Sequence, residues 1–250
     1  MILQFHVEHH DLIDSTNDLA RDRAQQGAVA GLVIRADRQK AGRGRRGRAW
    51  SSPAGNLYCS LVLRPMRSAA EMATLSFVTV IALGDVLAEL LPGRDVRHKW
   101  PNDLLVEGRK ISGILLESAG GGTSMALVIG LGVNIASHPD QTLYPVTDLV
   151  EQGADPLHPS ALLDLFLQRF AHHYADWEQG GFKAVLPAWR SRAIGIGQDI
   201  VVRLEKDTLT GTFVDLDGDG TLLLEQAGQG VKRIAAGDIF LPGMAVPATT

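Results

Sequence analysis

The segment Gln39-Lys40-Ala41-Gly42-Arg43-Gly44-Arg45-Arg46-Gly47-Arg48-Ala49-Trp50 holds the residue types in this chain best suited to gripping an anion. Glycines at 42, 44 and 47 permit positive φ and let backbone N–H groups come close to a ligand. Arginine forks match phosphate oxygens two at a time. Four arginines in six residues repel one another without a counter-anion, so the expectation is a mobile loop that orders around phosphate. No Gly-Lys-Ser/Thr follows, so this is not a P-loop. Gly42-x-Gly44-x-x-Gly47 matches a dinucleotide fingerprint by letters alone, since arginines crowd its variable positions. The blander reading is a solvated basic loop or an RNA-binding patch.

Two further constellations follow. Lys99-Trp100-Pro101-Asn102-Asp103 leads into Arg109-Lys110-Ile111-Ser112-Gly113. Pro101 bends the chain, and Asn102 and Asp103 offer oxygens to a hard cation such as Mg²⁺. Lys110 enters a strand that otherwise reads as buried, where an ammonium needs an anionic partner or else an edge position open to water. Gly130-Leu131-Gly132-Val133-Asn134 ends an apolar strand. Glycines there mark close backbone approach, and Asn134 either pairs with the edge of a base such as adenine or is a simple turn residue.

Other signals are set aside. Asp215-x-Asp217-x-Asp219-Gly220 imitates a calcium loop but has Gln226 at position 12 and no flanking helices, so a tight hairpin turn is expected. His6, His9, His10 and the His172-His173 pair have no Cys or carboxylate set at ligand spacing along the chain. No Ser-His-Asp assembly can be named.

The elements that must position these residues are legible in outline. Ile2–Val7 reads as a first strand, and 16–26 as a helix with capping oxygens at Asp14, Ser15 and Thr16 and a stop at Gly27. Gly31–Ala36 is a buried strand, and Leu57–Leu63 alternates with Leu57, Cys59, Leu61 and Leu63 on one face. Met72–Leu91 reads as a core helix. Leu104–Val106, Ile111–Glu117 and Met125–Asn134 are strands, the last two joined by a Gly120-Gly121-Gly122 turn. Leu163, Phe166, Leu167, Phe170, Tyr174 and Trp177 line one face of a helix that Ser160 would cap. After about Arg192, short β runs at 197–204, 209–215, 222–225 and 230–234 suggest a small appended β-barrel.

Composition narrows the class. In 250 residues, 45% are hydrophobic and 21% charged, ordinary globular values. The net charge is −4, yet 35–48 holds seven basic residues against one acidic, so the chain is built to receive an anionic ligand at one place rather than nucleic acid along a face. The lone Cys59 fits a reducing compartment. The start has no basic and apolar leader pattern, and the longest uncharged apolar run, 72–84, is too short for a membrane. A soluble, cytoplasmic protein is expected.

Together the three constellations, with Asp14-Ser15-Thr16-Asn17, resemble the biotin–protein ligases (biotin–[acetyl-CoA-carboxylase] ligases) in order and spacing over about residues 5–135. The resemblance implies an α+β fold of the class II aminoacyl-tRNA synthetase and biotin ligase type. A mixed sheet flanked by helices would occupy 1–192, and an SH3-like β-barrel 193–250. It implies ATP-dependent activation of biotin to biotinyl-5′-AMP with Mg²⁺, then transfer to a lysine of a biotin carboxyl carrier domain. Biotin would contact Ser15, Thr16, Asn17, Gln39, Arg43, Gly44, Arg45, Lys110 and Gly113. ATP would contact Arg43, Arg48, Trp50, Asn102 and Asn134, with Mg²⁺ near Asn102 and Asp103. Lys110, Arg45 and Arg48 would be catalytic. The Ser-Thr-Asn motif begins at Ser15, which implies no preceding winged-helix domain and no DNA binding; no membrane partner is expected, and a monomer or homodimer is. The rivals are a lipoate or octanoate ligase or transferase of related fold, and a non-enzymatic biotin- or nucleic-acid-binding module.

Overall fold

A computed structural model of the chain describes residues 3–121, 125–140, 142 and 144–242. Its centre is a seven-stranded sheet ordered β1-β2-β3-β7-β6-β5-β4. The strands are β1 (His6–Ile13), β2 (Leu32–Gln39), β3 (Leu57–Leu63), β4 (Val96–Lys99), β5 (Asp103–Val106), β6 (Arg109–Ala119) and β7 (Ala126–Val133). β1 and β2 run parallel and the other pairs antiparallel, so the sheet is mixed.

The sheet is covered on both faces, and period-two alternation assigns each side chain to one of them. Leu32, Ile34, Val62 and Val128 join Ala20 and Ala24 of helix α1 (Thr16–Gln25) in a small apolar layer. Val33, Leu61, Leu63, Leu127 and Ile129 face the larger core on the other side. All of β3 is therefore buried, not only its alternate residues. That larger core is filled by α3 (Leu75–Leu90), α4 (Pro159–Gly180) and α5 (Phe182–Ser191). Asp85 of α3 pins this layer by accepting from His173 Nε2 of α4 at 2.7 Å and from Arg192 Nη1 at 2.6 Å. Burial would raise its carboxyl, but these partners hold it down at about 2.

Some expected boundaries move for physical reasons. Ile2 lies outside the described residues, and Leu3 and Phe5 pack against the core ahead of β1, which is a largely exposed edge strand and so needs no apolar pattern. The helix expected over 72–91 is divided at Thr74, whose hydroxyl donates to Glu71 O and accepts from Trp177 Nε1, giving a short α2 (Ala69–Ala73) before α3. The described stretch long and apolar enough to span a membrane, Ala69–Leu90, is 72% buried in this core. α4 is capped by His158, not Ser160: His158 Nδ1 accepts from Ser160 N, and Pro159 fills the first helical position. Gly122 of the expected glycine turn lies outside the described residues.

A second, antiparallel sheet has the order β11-β10-β9-β8-β12. Its strands are β8 (Asp199–Arg203), β9 (Thr208–Leu216), β10 (Leu222–Gln226), β11 (Gly230–Ile234) and β12 (Asp238–Phe240). Ile200, Val202, Phe213 and Leu224 belong to the same apolar cluster as α3. The β9–β10 turn meets the main core directly: Trp100 Nε1 donates to Gly220 O at 3.0 Å. Gly220 has φ +81°, and a Cβ there would fall 2.6 Å from the Phe77 ring, so this turn admits only glycine. The calcium-like aspartates form a hairpin turn, with Asp219 paired to Arg233 at 2.8 Å.

Candidate active site

Ser15 caps α1 in an extended conformation, so Ser15, Thr16 and Asn17 stand where the helix presents its free N–H groups. Gln39, at the end of β2, accepts from Thr16 N at 2.8 Å and from Thr16 Oγ1 at 3.1 Å. Ser60 Oγ lies 2.8 Å from Thr16 Oγ1 and 2.5 Å from Asn17 Oδ1. A Cβ on Gly130 of β7 would sit 2.2 Å from Asn17 Oδ1, which explains the first glycine of the Gly-x-Gly pair.

The second glycine answers to Trp50. A Cβ on Gly132 would meet the indole at 2.6–2.8 Å, and one on Gly113 would meet it at 3.1 Å. The ring thus lies close against two neighbouring strands where side chains are missing. Its carrier, the arginine loop, folds back on itself through Gly44 N to Arg48 O (2.7 Å) and Trp50 N to Gly42 O (2.8 Å).

The arginines have counter-anions within the protein, which the sequence reading did not supply. Arg43 pairs with Asp18 of α1 at 2.7 Å and with Glu117 of β6 at 2.9 Å. Arg45 Nη1 donates to Asn102 Oδ1 at 3.1 Å and to Gly237 O at 3.2 Å. Arg48 meets Asp238 of β12 at 2.5 Å, and Arg46 lies 3.7 Å from the same carboxylate. These counter-charges come from 25 to 192 residues away, which no local reading of the loop can show. Burial lowers the Arg45 pKa, with Asp238 and Asp103 opposing. Burial also works against Arg48, yet its bond with Asp238 keeps that guanidinium above its ordinary value. Asp238 is held low by Arg48 against the upward push of burial.

Lys110 is half-buried and has the anionic partner that the sequence reading called for. Its Nζ lies 2.7 Å from Asp103 Oδ1 and 5.6 Å from the centre of the Trp50 ring. Its backbone bonds to Pro145 O and Thr147 N, so it does not stand on an open edge. Asn134 is buried and gives one amide N–H to Thr147 O at 3.0 Å.

All of the expected contact residues line one cleft of about 430 Å³: the α1 wall (Ser15, Thr16, Asn17) with Gln39; Arg43, Gly44, Arg45, Arg48 and Trp50 of the loop; Asn102 and Asp103; Lys110 and Gly113; and Asn134. Among the other residues that line it are three to which sequence reasoning gave no role: Lys99, Tyr144 and Asp238. Lys99 is buried, with Nζ 4.8 Å from the Tyr144 ring centre and 5.7 Å from that of Phe240. Burial lowers its pKa, with Asp103 opposing. Lys99 stands within the Lys-Trp-Pro-Asn-Asp run, whereas Tyr144 and Asp238 carry no local signal.

The Asn102–Asp103 pair is a poor cage for Mg²⁺ in this arrangement. Asn102 Oδ1 already accepts from Arg45, Asp103 already faces Lys110, and the surroundings are cationic. In two other groups among the described residues, His9 with Asp11 and Asp37, and His138 with Asp148 and Glu151, the candidate ligand atoms lie within 4.8 Å of one another. His9 is an exposed histidine, as expected, and β-sheet pairing brings Asp37 beside it from the neighbouring strand.

Residues 10–134 match the Biotin/lipoate A/B protein ligase family, and residues 195–241 match the Biotin protein ligase C terminal domain. The chain is 39% identical to the biotin–[acetyl-CoA-carboxylase] ligase of Paracoccus denitrificans, covering 92% of this chain and 98% of that one. The chain belongs to the biotin/lipoate protein ligase family. This ligase also resembles the bifunctional ligase/repressor of Bacillus subtilis, at 33% identity over 94% of this chain and 74% of that protein. Its fold superposes on a biotin protein ligase from Aquifex aeolicus in complex with biotin and ATP, with a TM-score of 0.82, 26% identity and coverage of 94% and 98% of the two chains. Its mixed catalytic sheet with flanking helices and its antiparallel C-terminal sheet are those of the biotin ligases.

Proposed function

We propose that this chain activates biotin with ATP and passes the biotinyl group to a lysine of a biotin carboxyl carrier domain of a carboxylase, as a cytoplasmic enzyme. The observation that carries this reading is the cleft itself. A wall of neutral donors and acceptors at Ser15, Thr16 and Gln39 is continuous with a cationic wall of Arg45, Arg48, Lys99 and Lys110. The neutral wall suits the uncharged ureido ring. The cationic wall suits the meeting of two anions, the biotin carboxylate and the ATP phosphates.

The carboxylate oxygen attacks the α-phosphorus, the bond to the bridging oxygen breaks, and pyrophosphate leaves. Lys110 and Arg45 offset the charge on the two reactants and align them. Trp50 offers a flat apolar face for adenine, and Asn134 the edge of an amide. The closed arginine loop keeps water from the mixed anhydride. The acceptor lysine amine then attacks the acyl carbon, and AMP leaves with the bonding pair. A divalent cation, where one is used, neutralises phosphate charge; the chain's own oxygens at Asn102 and Asp103 are committed to Arg45 and Lys110.

The test is exchange of labelled pyrophosphate into ATP, with biotin, lipoate and octanoate compared. Exchange with biotin alone is expected. Exchange with lipoate or octanoate alone would reassign the acid, and none from folded protein would overturn the adenylating chemistry.

A further inference from the structure

Arg43 has the charge of a phosphate ligand but not its availability. Its Nη1 donates to Ser15 Oγ at 3.2 Å and to Asp18 Oδ2 at 2.7 Å. Its Nη2 donates to Asp18 Oδ1 at 2.7 Å and to Glu117 Oε2 at 2.9 Å. Each terminal nitrogen carries two N–H groups, so all four are committed within the protein. Glu117 reaches further. The oxygen that accepts from Arg43 also accepts from Asn17 Nδ2 at 2.7 Å. One carboxylate oxygen on β6 therefore joins the first stem of the arginine loop to the α1 wall.

We propose that Glu117 is a positioning residue for adenylate formation, holding the loop against the α1 wall through Arg43 and Asn17. The proposal rests on the biotin-activating reading above. Arg43 is then an anchor rather than a phosphate ligand, and its contribution is to the biotin end of the cleft. Gln39 and Thr16 adjoin Asn17 in the same hydrogen-bonded group, so slack at Glu117 loosens the surface facing biotin and leaves Arg45, Arg48 and Lys110 in place.

Glu117→Gln separates the alternatives. Glutamine keeps the length but removes the charge, and with its carbonyl oxygen in the place of Oε2 it turns an NH₂ group toward Arg43 Nη2, which lies 3.2 Å from Oε1 of the glutamate. With Glu117→Gln the KM for biotin in pyrophosphate exchange is expected to rise, and bound biotinyl-adenylate to be released faster, each by at least about tenfold, with the KM for ATP within about twofold. If Arg43 instead grips ATP, removing a competing carboxylate strengthens ATP binding and leaves biotin alone, which overturns the proposal. Parallel rises in both KM values overturn it too, since they report general damage. Should Glu117→Gln not fold, Glu117→Asp, which keeps the charge and withdraws it by one methylene, is judged by the same split. Wild-type protein inactive with biotin refutes the underlying reading, whereas active wild type with an unaltered variant refutes only the role of Glu117.

Discussion

Replacing Gly132 with Ala tests whether the Trp50 indole is a working part of the cleft. The new Cβ would lie 2.6 Å from Cε2, 2.7 Å from Nε1 and 2.8 Å from Cζ2. An ordinary contact needs about 3.5–4.0 Å, so the ring must withdraw by about 1 Å. Trp50 cannot slide freely, because its backbone N–H is fixed to Gly42 O at 2.8 Å and the loop stem closes there. Overpacking of this kind costs about 1–3 kcal/mol. Because the strain is relieved by lifting a loop and not by opening the sheet, it should fall on the ligand-competent arrangement. That corresponds to a loss of about 5- to 150-fold in the rate of adenylate formation. Single-turnover formation of biotinyl-adenylate would measure it, with thermal unfolding as the control. Unchanged kinetics in a folded Gly132→Ala protein would show that the indole's seat on β7 is irrelevant to catalysis.

Three further outcomes are expected. Lys110→Ala should lower adenylate formation by more than about tenfold with the circular dichroism unchanged, and equal activity would remove Lys110 from the mechanism. Asp238→Asn should speed tryptic cleavage between Arg43 and Arg48, because the carboxylate facing Arg45, Arg46 and Arg48 is gone; an identical digestion rate would sink that account. His98 is buried, with Nδ1 3.0 Å from Trp189 O and Nε2 unpartnered, and burial lowers its pKa to about 4. The unfolded chain then binds the proton first, so stability present above about pH 6.5 is lost as pH falls toward about 4, by about 3 kcal/mol in all. Urea unfolding of His98→Asn should show a shallower acid dependence over that window, and equal slopes in both proteins would refute the assignment.

The parts of this molecule that could be read from its sequence are those whose causes are local. β3 was delimited by its apolar run and flanking turns, and α1 by its serine cap and Gly27. The two glycines of β7 announced close approach, but what approaches them, Asn17 and Trp50, is set by tertiary placement. β4 and β12 are only four and three residues long, and α5 carries Pro187 inside it, so neither period nor composition marked them. The arginine loop was legible as cationic and its partners were not. Asp18, Glu117 and Asp238 are unremarkable acids until the fold assembles them around it.

On the proposed reading, that assembly would make phosphate binding at the loop an exchange. A triphosphate arriving at Arg48 would compete with Asp238, and one at Lys110 with Asp103. Added salt weakens the internal pair and the ligand pair together. The KM for ATP should therefore vary with ionic strength far less than a bare cluster of four arginines would require. Loose polyanions, which bring charge without the shape to displace a half-buried carboxylate, would have little to gain here. The acids that neutralise the loop thus also filter what reaches it.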